Sequence, residues 1–293
     1  MAGYINRYGT LTAYTAEASA RDNLGLTVSL VTADGKVYYD GKLNKLGLPP
    51  FTIRVKYKSG KTPSKGDSQR LVDATENVWD ITKNNVNWSI LFQGDLSLIA
   101  VFGANSNGVT DMSYMFRGCT SLTSVDLFDT SSVTDMSYMF SYCTSLTSVP
   151  LFNTSSVTDM NQMLLSCIAL TSVPLFDTSR VTNMSNMLRG CSSLTSVPLF
   201  NTSSVTDMKQ MLLGCIALTS VPLFDTSRVT NMSNMFENCT SVESGALTLY
   251  QQASTQTNPP ANHTDTFKLC GRDTVTGAAE LAQIHSSWGG TMA

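Results

Sequence analysis

The chain has 293 residues, of which 42% are hydrophobic and only 14% charged, with a net charge of -3; the charged fraction is well below that of an average soluble domain. That balance leaves no basic patch dense enough to track a phosphate backbone, so nucleic acid is not an expected partner. No apolar run reaches the length of a membrane helix, and membrane insertion is not expected either.

The chain starts Met1-Ala2-Gly3-Tyr4-Ile5 without the apolar segment of a secretion signal, which predicts a product made and released in a cytoplasm. Residues 1–84 hold 12 of the 19 basic residues, against 5 in 109–244, and this shift in composition predicts a boundary near residue 84. Residues 1–20 show no period and read as an extended or loosely helical arm. Leu26–Val31 and Val37–Asp40 flank an Asp34-Gly35 turn and read as a hairpin, and Phe51–Tyr57 alternates as a further strand. The expected unit is a small β-rich docking module.

From residue 109 the sequence repeats. Val109, Val133, Val157, Val181, Val205 and Val229 recur with a constant period of 24, in step with Met112 and Met115, with Cys119 and with Leu122 and their equivalents. Twelve of the 14 methionines belong to this lattice. A unit this short cannot bury its own apolar face, so six such units in 109–244 must stack with like residues above one another. Leu122-x-x-Val125-x-Leu127 has leucine-rich-repeat spacing, and strict alternation turns Val125 and Leu127 inward on a short strand while Asp126 points out. Val133, Met136, Met139 and Phe140 suit one or two turns of α or 3₁₀ helix, with Thr134 and Asp135 as N-caps. The expected fold is a leucine-rich-repeat solenoid of short strands and short helices, carrying a small β-rich N-terminal module.

Shifting by one period aligns Trp88 with Met112, Phe92 with Phe116, Asp95 with Cys119 and Leu98 with Leu122, so 85–108 reads as a degenerate first coil. Phe267 and Cys270 continue the columns after seven extra residues around Pro259 and Pro260. Residues 245–293 therefore read as a C-terminal cap, with helices near 246–253 and 278–284 and Trp288 closing the last apolar face.

The string N/D-T-S-x-V-T-D/N-M-x-x-M-F-x-x-C-x-x-L-T-S-V resembles the repeat of the BspA-like leucine-rich repeat surface proteins of bacteria and their phages. The resemblance covers 109–244 in every column and the flanking segments loosely. It implies a non-enzymatic binding protein used in adhesion to host surfaces or partner proteins. Bacterial members usually begin with a secretion signal, which is missing here, and this departure favours a phage virion protein.

Each repeated column also has an architectural reading. Seven cysteines at one per coil read as reduced, buried fillers rather than a metal or redox device. Asp111, Asp135, Asp159, Asn183, Asp207 and Asn231 read as caps in preference to calcium ligands, because asparagine removes charge that a cation would need. Phe128, Phe152, Phe176, Phe200 and Phe224 follow the inward leucines. They point outward as an aromatic stripe if the strand continues, and inward as core if it ends at the leucine, which is the favoured reading. The candidate ligand face combines these phenylalanines with Ser124, Asp126, Ser148, Ser172, Ser196 and Ser220.

Catalysis has little footing, since the two histidines are His263 and His285 and no nucleophile, metal or phosphate motif is present. No catalytic residue, metal or cofactor is predicted. The expected function is that of a phage virion surface or fibre-associated protein. Residues 1–84 would dock to other virion proteins, and the repeats would recognise a host-surface glycan or protein. A bacterial cell-surface adhesin and a purely structural virion decoration protein are the alternatives, and a homo-oligomer is compatible with any of them.

Overall fold

A computed structural model describes residues 46–292, together with the backbone of four short strands that precede them. Strand β1 (Gly3–Ile5) pairs antiparallel with β2 (Leu11–Ala13), and β3 (Leu30–Val31) with β4 (Val37–Tyr38). The arm expected over 1–20 thus holds a three-residue antiparallel ladder. The Asp34-Gly35 turn lies outside the described residues.

Five further strands, β5 (Thr52–Tyr57), β6 (Ser68–Asp73), β7 (Val78–Thr82), β8 (Leu98–Asn105) and β9 (Ser124–Val125), form an open mixed sheet in the order β6-β7-β5-β8-β9. Alternation in β5 buries Ile53, Val55 and Tyr57 while Arg54 and Lys56 stay partly exposed, as period-2 geometry requires. All pairs are antiparallel except β8 with β9. Strand β8 is therefore a seam: one edge bonds β5, and the other starts the parallel stacking of the repeats. No break in packing falls at residue 84, because one apolar cluster runs from Ile53 through Val101 into the repeats. The compositional shift there marks a change in charge.

Beyond β8 the repeats stack in one register. Parallel bridges join Asn87 to Asp111, Asp111 to Asp135, and so on with the period of the sequence to Asn231, and then Asn231 to Asn262. That last step is seven residues longer, which matches the insertion around Pro259 and Pro260. The valine, methionine, cysteine and leucine columns are buried along the whole array. Trp88 and Phe92 occupy the equivalent core positions of the first coil, where their amides donate to Asp111 O and Met115 O at 2.8 Å.

The helical half of each repeat is absent, and consecutive turns stand in its place. In the second coil Met115 N donates to Met112 O and Cys119 N to Phe116 O, each closing a four-residue turn. The third residues of these turns, Tyr114 and Gly118, have φ of +57° and +75°, as in type II turns. Between them, the amides of Met112, Tyr114, Phe116 and Gly118 donate to Asp135, Ser137, Met139 and Ser141 of the next coil. Spacing of i, i+3, i+6, i+7 suits this arrangement as well as a helix, but a helix would turn those amides inward along its own axis and forfeit the bonds between coils.

Regular strand pairing also ends after β9. Asp126 N donates to Val101 O at 2.9 Å, a bond that Pro150, Pro174, Pro198 and Pro222 cannot make at the same position. Helices occur in the C-terminal cap, α1 (Ala246–Thr255) and α2 (Val275–Leu281). Gln252 and Gln256 of α1 and its C-cap meet the last coil. Gln252 Nε2 donates to Phe224 O, Gln256 Nε2 donates to Thr226 O, and Gln256 Oε1 accepts from the Thr226 hydroxyl. In earlier coils that hydroxyl position donates to the following coil, as Thr202 Oγ1 does to Asp225 O. Trp288 is buried and stacks on His263 with ring centroids 4.2 Å apart. No helix among the described residues is long and apolar enough to cross a membrane.

Candidate functional site

The serine column stands on the surface. Ser124, Ser148, Ser172, Ser196 and Ser220 are all exposed, and the stacking register sets equivalent residues about 4.8 Å apart. The neighbouring threonines lie along the same edge: Thr123 Oγ1 donates to Ile99 O and Thr219 Oγ1 to Thr195 O, while none of the five serine hydroxyls has a partner among the described residues. Asp126 is exposed, and the prolines that replace it in later coils are half-buried.

The phenylalanines do not belong to this face. Phe128, Phe152, Phe176, Phe200 and Phe224 are buried, and Phe176, Phe200 and Phe224 stack on one another with centroids 6.5 Å apart. The cause is local. Phe152 N donates to Pro150 O at 2.9 Å, and Phe176, Phe200 and Phe224 repeat the bond to Pro174, Pro198 and Pro222, closing a tight three-residue turn. At Pro174, Pro198 and Pro222 the turn stops the alternation, swings the phenylalanine inward and leaves the intervening leucine outside; at Pro150 the intervening Leu151 is half-buried against the core, and Phe128 is buried without such a turn. Leu175, Leu199 and Leu223 are consequently 57%, 62% and 48% exposed, against the inward placement that strict alternation gave this column, whereas Leu127, like Leu151, is half-buried against the core. The exposed face is therefore serine and, from Leu175 onward, leucine, without an aromatic stripe.

Other repeated columns serve the architecture. Cys143 Sγ donates to Phe116 O at 3.1 Å, and Cys119, Cys167, Cys191, Cys215 and Cys239 each reach the equivalent carbonyl of the preceding coil in the same way. Burial pushes the Cys119, Cys191 and Cys239 thiols up to about 12, far from the thiolate that metal binding or nucleophilic chemistry needs. The Asp/Asn column accepts backbone amides: Asp111, Asp135, Asp159, Asn183, Asp207 and Asn231 each receive the N–H two residues on through Oδ1. Desolvation, followed by the nearby Asp135 charge, raises the Asp159 carboxyl above the usual carboxylate range.

A cluster on the turns was not expected from the sequence. Tyr114 and Tyr138 stack face to face, 4.3 Å between centroids and 8° between planes, and Gln162 Nε2 donates to the Tyr138 hydroxyl at 2.7 Å. The Arg117 guanidinium lies over the Tyr114 ring at 5.9 Å and the Tyr142 ring at 5.8 Å, a cation–π arrangement built from two neighbouring coils. The signal available in the sequence was the coincidence of Tyr114 and Tyr138 in one column, with Arg117 and Tyr142 close behind. Only the stacking register brings the four together.

In comparison with known proteins, the chain is similar to a solved leucine-rich repeat protein of T. pallidum. Identity is 19% and the TM-score 0.41, over 58% of this chain and 75% of that one. No curated protein matches the chain. The profile of a family described as "Mycoplasma protein of unknown function, DUF285" matches residues 100–172 and 167–268, more than half of the chain. The chain belongs to this family of repeat proteins.

Proposed function

We propose that the chain is a non-enzymatic binding protein whose repeats form a leucine-rich-repeat solenoid, with recognition carried by the serine and leucine columns. The observation behind this reading is the set of outward leucines at Leu175, Leu199 and Leu223 beside unpartnered serine hydroxyls. Apolar side chains exposed in a regular row, rimmed by polar ones, are characteristic of partner surfaces. A compact metabolite calls for a concave pocket with convergent polar groups. A periodic ridge suits an extended glycan or a protein face. The repeated acidic and thiol groups are committed to amide capping and core filling, which supports a role in binding over catalysis.

The setting we propose is a virion surface, with the N-terminal residues contacting other virion proteins. A bacterial cell-surface adhesin is the second reading, supported by the family's description as a Mycoplasma protein. Both readings place the ligand on a cell surface and require no cofactor.

The test uses the full chain and a variant carrying Leu175→Asp, Leu199→Asp and Leu223→Asp, applied to host cells that are untreated, protease-treated or stripped of surface polysaccharide. Since these leucines are exposed, the variant is expected to keep the wild-type melting temperature and lose cell binding. Sensitivity to one of the two treatments then identifies the ligand as protein or glycan. Equal retention of variant and wild type on all three cell preparations would leave the array as a structural spacer.

A further inference from the structure

We propose that Arg117 and Tyr142, backed by the stacked Tyr114 and Tyr138, form a subsite for the carboxylate-bearing ring of an acidic sugar. The site belongs to the turn ladder rather than to the serine and leucine columns, and it stands independently of the function proposed for them.

The first observation is a cation without a counter-ion. Among the described residues no hydrogen bond or ion pair engages the Arg117 side chain, and its Nε is buried without an acceptor. The equivalent positions in other coils differ. Leu165 and Leu213 are apolar, Arg189 Nη1 is held by Gln210 Oε1 at 3.2 Å, and Glu237 is paired with Lys268 at 3.4 Å. Arg117 alone in this column carries a charge that touches only aromatic rings.

The second observation lies one coil further on. Ser141 holds the position equivalent to Arg117, joined to it by the register in which Gly118 N donates to Ser141 O at 2.7 Å. Ser141 is fully buried, and its Oγ also has no partner. A buried hydroxyl and a half-buried guanidinium left unsatisfied side by side are costly in a protein that satisfies the rest of its turn ladder.

The chemistry that fits is a single negative charge attached to a ring. Guanidinium forks bind carboxylate in a planar, two-point geometry. Tyr142 is 42% exposed, so its ring is accessible for stacking against the C–H face of a pyranose. One cation matches one carboxylate, and the repeats around it hold 10 acidic residues against 5 basic ones, a field that opposes multiply charged phosphates. A glutamate-rich peptide would supply the carboxylate but no ring for Tyr142.

Isothermal titration of the full chain with tri-galacturonate and with sialyllactose tests the assignment. The neutral controls are the methyl esters of tri-galacturonate and of sialyllactose, and a penta-glutamate peptide is the competing class. One of the two acidic sugars is expected to bind, and to lose about tenfold or more in affinity on removal of its carboxylate charge or in Arg117→Gln, the loss of one charge-assisted contact. Tyr142→Asn, chosen because asparagine tolerates the left-handed backbone at this position, is expected to weaken binding with an unchanged melting temperature. Failure of both acidic sugars to bind, equal binding of the neutral sugars, indifference to Arg117→Gln in a variant that melts as wild type, or tighter binding of penta-glutamate would each overturn the assignment.

Discussion

The Tyr57 hydroxyl donates to Asp95 Oδ2 at 2.8 Å, and this bond ties the N-terminal sheet to the point where the cysteine column would begin. Asp95 is the counterpart of Cys119 one period earlier, and its Oδ1 also accepts from Ser97 N. Burial, reinforced by the Asp95 charge, raises the Tyr57 phenol far above its ordinary value. Replacing Tyr57 by Phe keeps the buried ring but strips a partly buried carboxylate of its donor. The expected loss is about 1–3 kcal/mol. A urea unfolding curve with a lower midpoint and an unchanged slope would show it, and an unchanged midpoint would mean that water replaces the donor without penalty.

The thiol column is expected to weaken the fold at alkaline pH. An unfolded cysteine ionises near 9, whereas Cys119, Cys191 and Cys239 in the fold hold their protons to about 12. Below 9 both states are protonated and the column's contribution is intact. Between 9 and 12 only the unfolded chain releases protons, so stability falls with rising pH, by about 1.4 kcal/mol per pH unit for each thiol. Unfolding midpoints are expected to be level from pH 7 to 8 and to drop steeply above 9. Ellman titration should find no reactive thiol in the native chain and seven after denaturation; reactive thiols in native protein at pH 8 would contradict the buried column.

How far the sequence could be read depends on what each signal constrains. The period of 24 determined which residues stack, because only one register superposes Met112 on Met136 and Cys119 on Cys143, and the seven-residue step to Cys270 followed from the same logic. It did not constrain the backbone between column positions. Apolar spacing of three and four residues fits both a helix and a run of turns, and the discriminating sign was the glycine and asparagine at Gly118, Gly190, Gly214, Asn186 and Asn234, all of which have positive φ. The inward placement of Phe152, Phe176, Phe200 and Phe224 was legible through the prolines, which cut off the strand that outward placement required; Phe128, which follows Asp126 instead, had no such sign. The Arg117 cluster was hidden because its aromatic partners come from two coils whose lateral fit no linear spacing encodes.

Asp80 pins three strands together. It lies across from Arg54 on β5 and Arg70 on β6, and accepts from Arg54 Nε at 2.6 Å as well as from Arg70 Nη2. Burial alone would raise its carboxyl, but the hydrogen bonds from Arg54 and then Arg70 outweigh burial and hold it below the usual carboxylate range. The contribution is therefore present above pH 4 and lost as pH falls through the lowered folded value. Asp80→Asn is expected to cost about 2–3 kcal/mol at pH 7 and to flatten the decline in stability from pH 4 to pH 2. An Asp80→Asn variant with the wild-type acid profile would assign that decline to other carboxylates.

The two near-identical units 157–180 and 205–228 contain an internal control. They differ at Asn161/Lys209 and Ser166/Gly214, and the second pair occupies the left-handed third position of a turn, with φ of +57° at Ser166 and +74° at Gly214. A side chain in that conformation costs about 1–2 kcal/mol of backbone strain, which glycine avoids. Space is not the obstacle, since a Cβ at Gly214 would come no closer than 3.9 Å to Gly190 Cα. Ser166→Gly is therefore expected to stabilise the chain, less the entropy that glycine adds to the unfolded state, for a net gain of about 0.5–1 kcal/mol. Gly214→Ser should lose a similar amount. The double exchange, which moves the serine from one coil to its copy two periods along, should leave the unfolding midpoint near wild type, because the coil of Gly190 separates the two positions and each coil feels only its neighbours. Calorimetry of the three variants would decide it. If Gly214→Ser proved harmless while Ser166→Gly destabilised, the serine would be contributing a contact to its coil, and the turn ladder would not be limited by left-handed strain.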